Sequence, residues 1–361
     1  MSPNICVNAR FLTQPLVGMP RYAYNIVKRL PFTRLITPEL PRLAYSSLPS
    51  SQIYVLPHLL KSHLWEQFVL PNVIPNGDVL WTPAAIGPFR SSCHVLSIPD
   101  VSIIEHPEWY SQAYALWYNF LLPHVARRAR KIITISNFSK ERIIETLSIP
   151  EQNIIITYPG VDNTFYPQSS DIFQQVLQEY NINNPYILAV GAIATRKNFS
   201  KLLEAWNFIA NLRKDIWLVI VGEKGLPYFS TSSTGKLPPR TLHLTGVDDE
   251  HLVCLYNGAL AFVYPSLYEG FGLPVLEAMA CGTPVVTSDV SSLPEVAGTN
   301  AIMINPYDID SIIQGILQII DSEYLRKELS LKGLDWVKHF SWDKTAALTW
   351  KILQDVANSQ R

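Results

Sequence analysis

A chain of 361 residues offers material for about two domains, and 48% hydrophobic against 16% charged residues is a composition for packed cores, not for a disordered chain. A formal net charge of −1 argues against nucleic-acid binding as the main activity. Cys6, Cys93, Cys254 and Cys281 are scattered with no C-x-x-C, so a disulfide framework is excluded in favour of buried thiols in a reducing compartment.

The first residues carry no apolar signal core, and no apolar run reaches the ~18 residues of a membrane span. A cytoplasmic protein is expected, in contact with the inner face of the membrane at most. Along the first half, strands are predicted at 4–9, 42–47, 78–83, 94–100 and 131–136, with helices at 18–30, 57–70, 111–130 and 137–147. Along the second half, strands are predicted at 186–191, 217–222, 242–246, 261–266 and 284–289, with helices at 198–210 and 274–282. Alternation of this kind implies an α/β fold of parallel sheets covered by helices. Each half reads as a Rossmann-like domain, 1–170 and 171–341, joined after "YPGVDNTFYPQSS" (158–170). A last helix at 342–358 is expected to return to the first domain and carry 342–361 with it. The polar stretch 225–240 reads as a mobile surface loop. Ligands of open α/β sheets bind outside the carboxyl ends of the strands, so the informative residues are sought there.

The stretch "EGFGLPVLEAMACGTPVV" runs from Glu269 to Val286 and sets seven residues between Glu269 and Glu277. Gly270 and Gly272 let backbone approach a ligand closely and take positive φ, and Pro274 suits the first turn of a helix. Glu269 is therefore expected on a loop and Glu277 in the helix after it. Loop N–H groups and a helix N-terminus form an anion site, here flanked by two carboxylates that accept hydrogen bonds from hydroxyl groups. A nucleotide sugar has that chemistry; a strand–loop–helix unit with two solvated glutamates also fits the spacing. In "VGAIATRKNFSKLLEAW" (190–206), Gly191 is followed by Arg196 and Lys197 in a polar turn at a strand's carboxyl end. They can neutralise phosphate, Arg as a fork and Lys as a point charge, or stand as exposed charges ahead of a helix.

Together with "VNARF" (7–11), "GMPRYAYNIVKRL" (18–30), "SNFSKERI" (136–143) and "YPGVDNTFYP" (158–167), these stretches resemble the retaining glycosyltransferases of family 4 over nearly the whole chain. The resemblance implies the GT-B fold, two facing Rossmann-like domains with the donor cleft between them. It implies transfer of a hexose from a nucleotide-diphosphate sugar, with UDP-glucose the expected donor, to a glycan or lipid-linked acceptor in cell-surface polysaccharide biosynthesis. By resemblance, Arg196 and Lys197 hold the diphosphate, Glu277 the ribose hydroxyls and Glu269 the donor sugar. The N–H groups from Phe271 to Leu273 contact sugar and phosphate, Gly18 lets a loop approach the phosphates, and Val247 meets the base through its backbone.

One place departs from the family pattern. At the end of the fourth predicted strand many relatives carry His-Asp, whereas this chain reads "SIPD" with Pro99 in place of the histidine. Asp100 remains and is expected on the acceptor side, while His94 and His106 are out of register and read as structural. "DID" (308–310) imitates a metal-binding D-x-D but stands directly before an apolar-periodic helix, as "DDE" (248–250) does, so helix capping is expected and no metal. Trp109, Tyr110 and Tyr114 either stack on acceptor sugars or pack a core. "RRARK" (127–131) either meets anionic lipid or complements a helix C-terminus. Two other readings stay open: a GT-B-fold epimerase acting on the nucleotide sugar, and a catalytically inactive nucleotide-sugar-binding protein.

Overall fold

The computed structural model describes residues 5–31, 33–84, 86–91, 93–223 and 237–359. The chain forms two compact units, Met1–Gly160 with Phe340–Arg361, and Val161–His339. Residues 224–236, which include 225–236 of the polar stretch read as a loop, lie outside the described residues.

The first unit holds a seven-stranded sheet: β1 (Ile5–Asn8), β2 (Arg34–Thr37), β3 (Ile53–Val55), β4 (Val79–Thr82), β5 (His94–Ser97), β6 (Lys131–Thr134) and β7 (Ile154–Ile156). The order is β3-β2-β1-β4-β5-β6-β7 and every pairing is parallel. All residues of β1, β4 and β5 are buried, as strands covered by helices on both faces must be. The strand order reverses between β1 and β4, which makes that point the unit's topological switch.

The strand predicted at 42–47 does not form. Leu43–Tyr45 is a 3-10 turn in which Leu43 is 92% exposed and Tyr45 turns inward, its hydroxyl donating to the Gln14 carbonyl at 3.1 Å. The sheet takes Arg34–Thr37 and Ile53–Val55 instead, so Asp100 follows the fifth strand, not the fourth. The helix predicted at 57–70 begins only at Ser62 and breaks after Phe68, with Leu70–Val73 as a separate turn around Pro71.

The last helix, Trp342–Asn358, packs against the helix Met19–Val27 of the same unit. Trp342 is 3% exposed and meets the Tyr22 ring edge-on at 6.0 Å, and Arg29 donates to Asp343 at 2.7 Å. Gly160 passes so close that an added Cβ would lie 2.1 Å from the Trp342 nitrogen.

The second unit holds a six-stranded parallel sheet: β8 (Tyr186–Val190), β9 (Trp217–Val221), β10 (Thr241–Leu244), β11 (Ala261–Tyr264), β12 (Val285–Ser288) and β13 (Ile302–Ile304). Its order, β10-β9-β8-β11-β12-β13, puts the switch between β8 and β11. Trp206, Ile209, Ile187, Ile220, Val263 and Ile316 belong to the core beneath it. The unit begins at Val161, ten residues before the boundary read from the sequence. Phe165 packs edge-on against Tyr256, and the Gln168 N–H donates to Asn257 Oδ1 at 2.7 Å, so the segment belongs with the second sheet.

Candidate functional site

The two stretches singled out in the second half meet at this switch point. After β8 the chain passes Gly191, turns through Thr195–Lys197 and enters the helix Phe199–Leu212. Asn198 makes the corner in the left-handed region (φ 57°), and its Nδ2 donates to the carbonyls of Pro265 (3.1 Å) and Pro306 (2.8 Å). After β11 the loop leads to the helix Leu273–Ala280, which starts at Gly272 (φ 112°) with Pro274 in its first turn. A Cβ at Gly272 would lie 2.7 Å from Leu293 Cδ2, the far end of a leucine that must shift to admit it, and the dihedral itself calls for glycine. Ser292 Oγ shares its proton between the carbonyls of Glu269 (2.8 Å) and Phe271 (2.7 Å), and Ser291 Oγ accepts from the Glu269 N–H at 3.2 Å.

Glu269 is the centre of a charge cluster. Its Oε2 accepts from Arg196 Nη1 at 2.9 Å, and its Oε1 accepts from Lys197 Nζ at 2.6 Å and from the Tyr264 hydroxyl at 3.0 Å. Lys197 also donates to the Tyr264 oxygen. Burial pushes the Glu269 carboxyl up, but Lys197 and Arg196 more than offset it and hold the pKa at about 2. Burial pushes the Tyr264 phenol well above its ordinary value, so it keeps its proton and donates. Glu269 and Lys197 have side chains only 8% and 10% exposed, whereas Arg196 is 34% exposed. Two cations thus meet one carboxylate in fixed geometry, and Arg196 is the most exposed of the three.

Gly191, Arg196, Lys197 and the loop Glu269–Leu273 are thus gathered at one place; a Cβ on Gly191 would sit 3.5 Å from Lys197 Cε. Glu277 follows on the helix Leu273–Ala280, half-buried, with the Tyr256 hydroxyl donating to it at 3.4 Å. Val247 lies just past β10, two strand positions from β8. Tyr264, Ser291 and Ser292 were not singled out in the sequence. Tyr264 ends an apolar strand and looks like core there, and the two serines show only as a polar turn after β12.

In the first unit Gly18 precedes the helix Met19–Val27 with φ 55°, and an added Cβ would meet nothing within 4 Å, so its dihedral alone calls for glycine. Asp100 Oδ1 accepts from the Ser102 N–H at 2.9 Å and from Ser102 Oγ at 2.5 Å, and Ser102 Oγ lies 2.6 Å from the Tyr110 hydroxyl. His94 is buried against Thr82 Oγ1 at 2.9 Å, and burial lowers its pKa to about 4. The His106 ring stacks on Trp109 at 4.0 Å. Asp308 and Asp248 cap helices, accepting from the N–H groups of Asp310 (3.0 Å) and His251 (2.8 Å). Among the described residues no group of three or more His, Cys, Asp or Glu is placed to hold a metal, and no helix is long and apolar enough to cross a membrane.

Residues 17–165 match the model of Glycosyltransferase Family 4, and residues 173–336 match that of Glycosyl transferases group 1. The chain is 34% identical to the O-antigen chain mannosyltransferase B of Escherichia coli, over 93% of this chain and 95% of that one. It is 33% identical to the serotype-specific mannosyltransferase WbdA of Escherichia coli over 61% of this chain, a match that spans only 28% of that longer protein. Its fold is shared with a glycosyltransferase from Rickettsia africae at TM-score 0.74 and 17% identity, covering 99% of both chains.

Proposed function

This chain belongs to the family 4 glycosyltransferases and has their two-domain GT-B fold; from that premise we propose that it moves mannose from a nucleoside-diphosphate sugar onto a cell-surface polysaccharide under assembly. Mannose replaces the glucose expected from the sequence because the E. coli relatives are mannosyltransferases, one of them matched along nearly its whole length. The observation that carries the reading is the buried Glu269 holding Arg196 and Lys197 at the switch of the second sheet.

In this reading Arg196 and Lys197 take the diphosphate, with the N–H groups of Phe271, Gly272 and Leu273 at the start of the helix beside them. Glu277 accepts from the ribose hydroxyls, and the backbone at Val247 meets the base. Reaction places an added negative charge on the departing diphosphate, and prealigned cations stabilise it without reorganising. No metal is needed for that. Glu269 is a poor nucleophile, since both of its oxygens accept from cations and its pKa is about 2. We therefore assign retention to attack from the leaving-group face, the diphosphate oxygen taking the acceptor's proton, rather than to a sugar–Glu269 adduct.

Calorimetry with UDP, GDP and ADP in the presence of chelator tests the donor pocket. One nucleotide should bind, and Lys197→Ala and Glu277→Ala should each weaken it at least tenfold. A mannose transfer assay with that nucleotide's sugar follows. Binding that needs manganese or magnesium would overturn metal independence, and preference for a glucose donor would overturn the sugar assignment.

A lipid-linked acceptor would bring the chain to a membrane surface. The helix Gln112–Arg128 suits this, with Leu116 71% and Phe120 66% exposed and Arg127 and Arg128 in its last turn. Vesicle flotation that does not depend on anionic lipid would remove the membrane contact.

A further inference from the structure

The first unit has a switch point of its own, between β1 and β4, and a second buried carboxylate sits there. Glu66, on the helix Ser62–Phe68, has a side chain with no exposure. Its Oε1 accepts from Asn8 Nδ2 at 2.8 Å and from Arg10 Nε at 2.9 Å, and its Oε2 lies 3.2 Å from His63 Nδ1. Asn8 ends β1 and Arg10 opens the turn after it. Burial pushes the Glu66 carboxyl up, yet His63, Arg10 and Asn8 hold it below its ordinary value. A buried ion pair of this kind adds little stability, because desolvation consumes most of the Coulombic gain. What it does is fix one edge of a guanidinium.

The rest of the surroundings suit a ligand. Arg10 Nη1 reaches Ser62 Oγ at 3.4 Å, and Ser62 has φ 52°, a left-handed conformation that serine seldom takes without a reason. Glu66 and Ser62 occupy two of the five N–H groups a guanidinium offers. The His63 ring lies 6.5 Å from Tyr114 and 5.8 Å from Tyr118, whose rings approach each other at 4.3 Å. Tyr114 is 39% exposed, and Arg10 is near enough to act electrostatically on its hydroxyl. An aromatic surface next to a few fixed polar groups is how ligand sites are commonly lined.

We propose that Arg10, positioned by Glu66, and Tyr114 form the acceptor subsite, and that the acceptor terminus they receive is an uncharged sugar. The proposal rests on the glycosyltransferase reading above. Its logic is charge. Glu66 already neutralises Arg10, so a phosphate or uronate would meet a compensated cation, whereas the hydroxyls of a neutral sugar need only the edge of a guanidinium whose side chain is 11% exposed and the exposed part of the Tyr114 ring. In the donor cluster of the second unit, by contrast, two cations share a single carboxylate.

The test uses the full chain, a mannose-terminated oligosaccharide and the same oligosaccharide bearing a terminal phosphate. Tyr114→Ala should raise KM for the neutral acceptor about tenfold, while the donor Kd measured by calorimetry stays at the wild-type value. Glu66→Gln should also raise the acceptor KM, with Glu66→Asp recovering part of the loss; a merely structural Glu66 would lower Tm without that selective change. An acceptor KM within twofold of wild type in both Tyr114→Ala and Glu66→Gln overturns the subsite, as does preference for the phosphorylated acceptor. If the wild type binds no nucleotide at all, the glycosyltransferase reading fails first and takes this proposal with it.

Discussion

At the scale of single residues, Glu269 decides how the donor cluster behaves with pH. Its folded pKa of about 2 lies below the ordinary carboxylate value of about 4.3. A carboxyl with a depressed folded pKa contributes stability that is present above the unfolded value and lost as pH falls through the folded one. The contribution from Glu269 therefore disappears between pH about 4.3 and about 2, while pH 6–8 leaves it untouched. Glu269→Gln should flatten that part of an acid-unfolding curve. At neutral pH the same variant should lower the transfer rate by about 10²-fold, because two cations lose the carboxylate that aligns them. An acid limb identical to wild type would show that Glu269 is not the group that titrates. The paired glutamates were legible because spacing, glycines and proline together describe a loop feeding a helix. Tyr264 was not: a phenol at the end of an apolar strand looks the same whether it fills a core or bridges Lys197 and Glu269.

At the scale of elements, several long helices were readable, the helix Glu323–Trp336 was not, and the shortest strands were not. The helices Gln112–Arg128, Asn137–Leu147 and Trp342–Asn358 form where three or more turns of periodicity predict them. β3, β7 and β13 have three residues each, too few for a period of two to be seen, whereas β2 has four, as many as β1 and β4, and length does not explain its absence from the prediction. The run at 42–47 was misread because apolar content alone cannot tell a strand from a turn that leaves Leu43 in solvent. The helix Leu273–Ala280 was legible through Gly272 and Pro274, and Gly272 also sets its sensitivity. Gly272→Ala adds a Cβ at φ 112° and 2.7 Å from Leu293 Cδ2, whereas Gly18→Ala at φ 55° meets nothing within 4 Å. The first should cost about 2–3 kcal/mol and the second about 1 kcal/mol. Denaturant titration of the two variants checks the order, and equal costs would mean that the dihedral alone matters at both sites.

At the scale of the whole molecule, two sheets with separate cores share one chain that leaves the first unit at Gly160 and returns to it at Phe340. The two-unit organisation was legible from the alternation of strands and helices. The boundary at 160 was less so, because "VDNTFYPQSS" looks like a linker, and only the contacts of Phe165 and Gln168 tie it to the second unit. Each unit has a buried tryptophan that reports on it alone: Trp342, 3% exposed beside Tyr22, and Trp206, 0% exposed in the second core. Replacing a buried tryptophan with alanine removes its transfer free energy and leaves a cavity, about 3–5 kcal/mol together. For units of this size that corresponds to roughly 10 °C in Tm. If each unit unfolds by its own core, calorimetry of Trp342→Ala should move one transition down and Trp206→Ala the other. The returning helix then acts as a strap on the first unit, and its loss should leave nucleotide binding by the second unit intact at temperatures below both transitions. Should either variant lower both transitions equally, the two cores unfold as one cooperative body, and the donor site would depend on a helix belonging to the other unit.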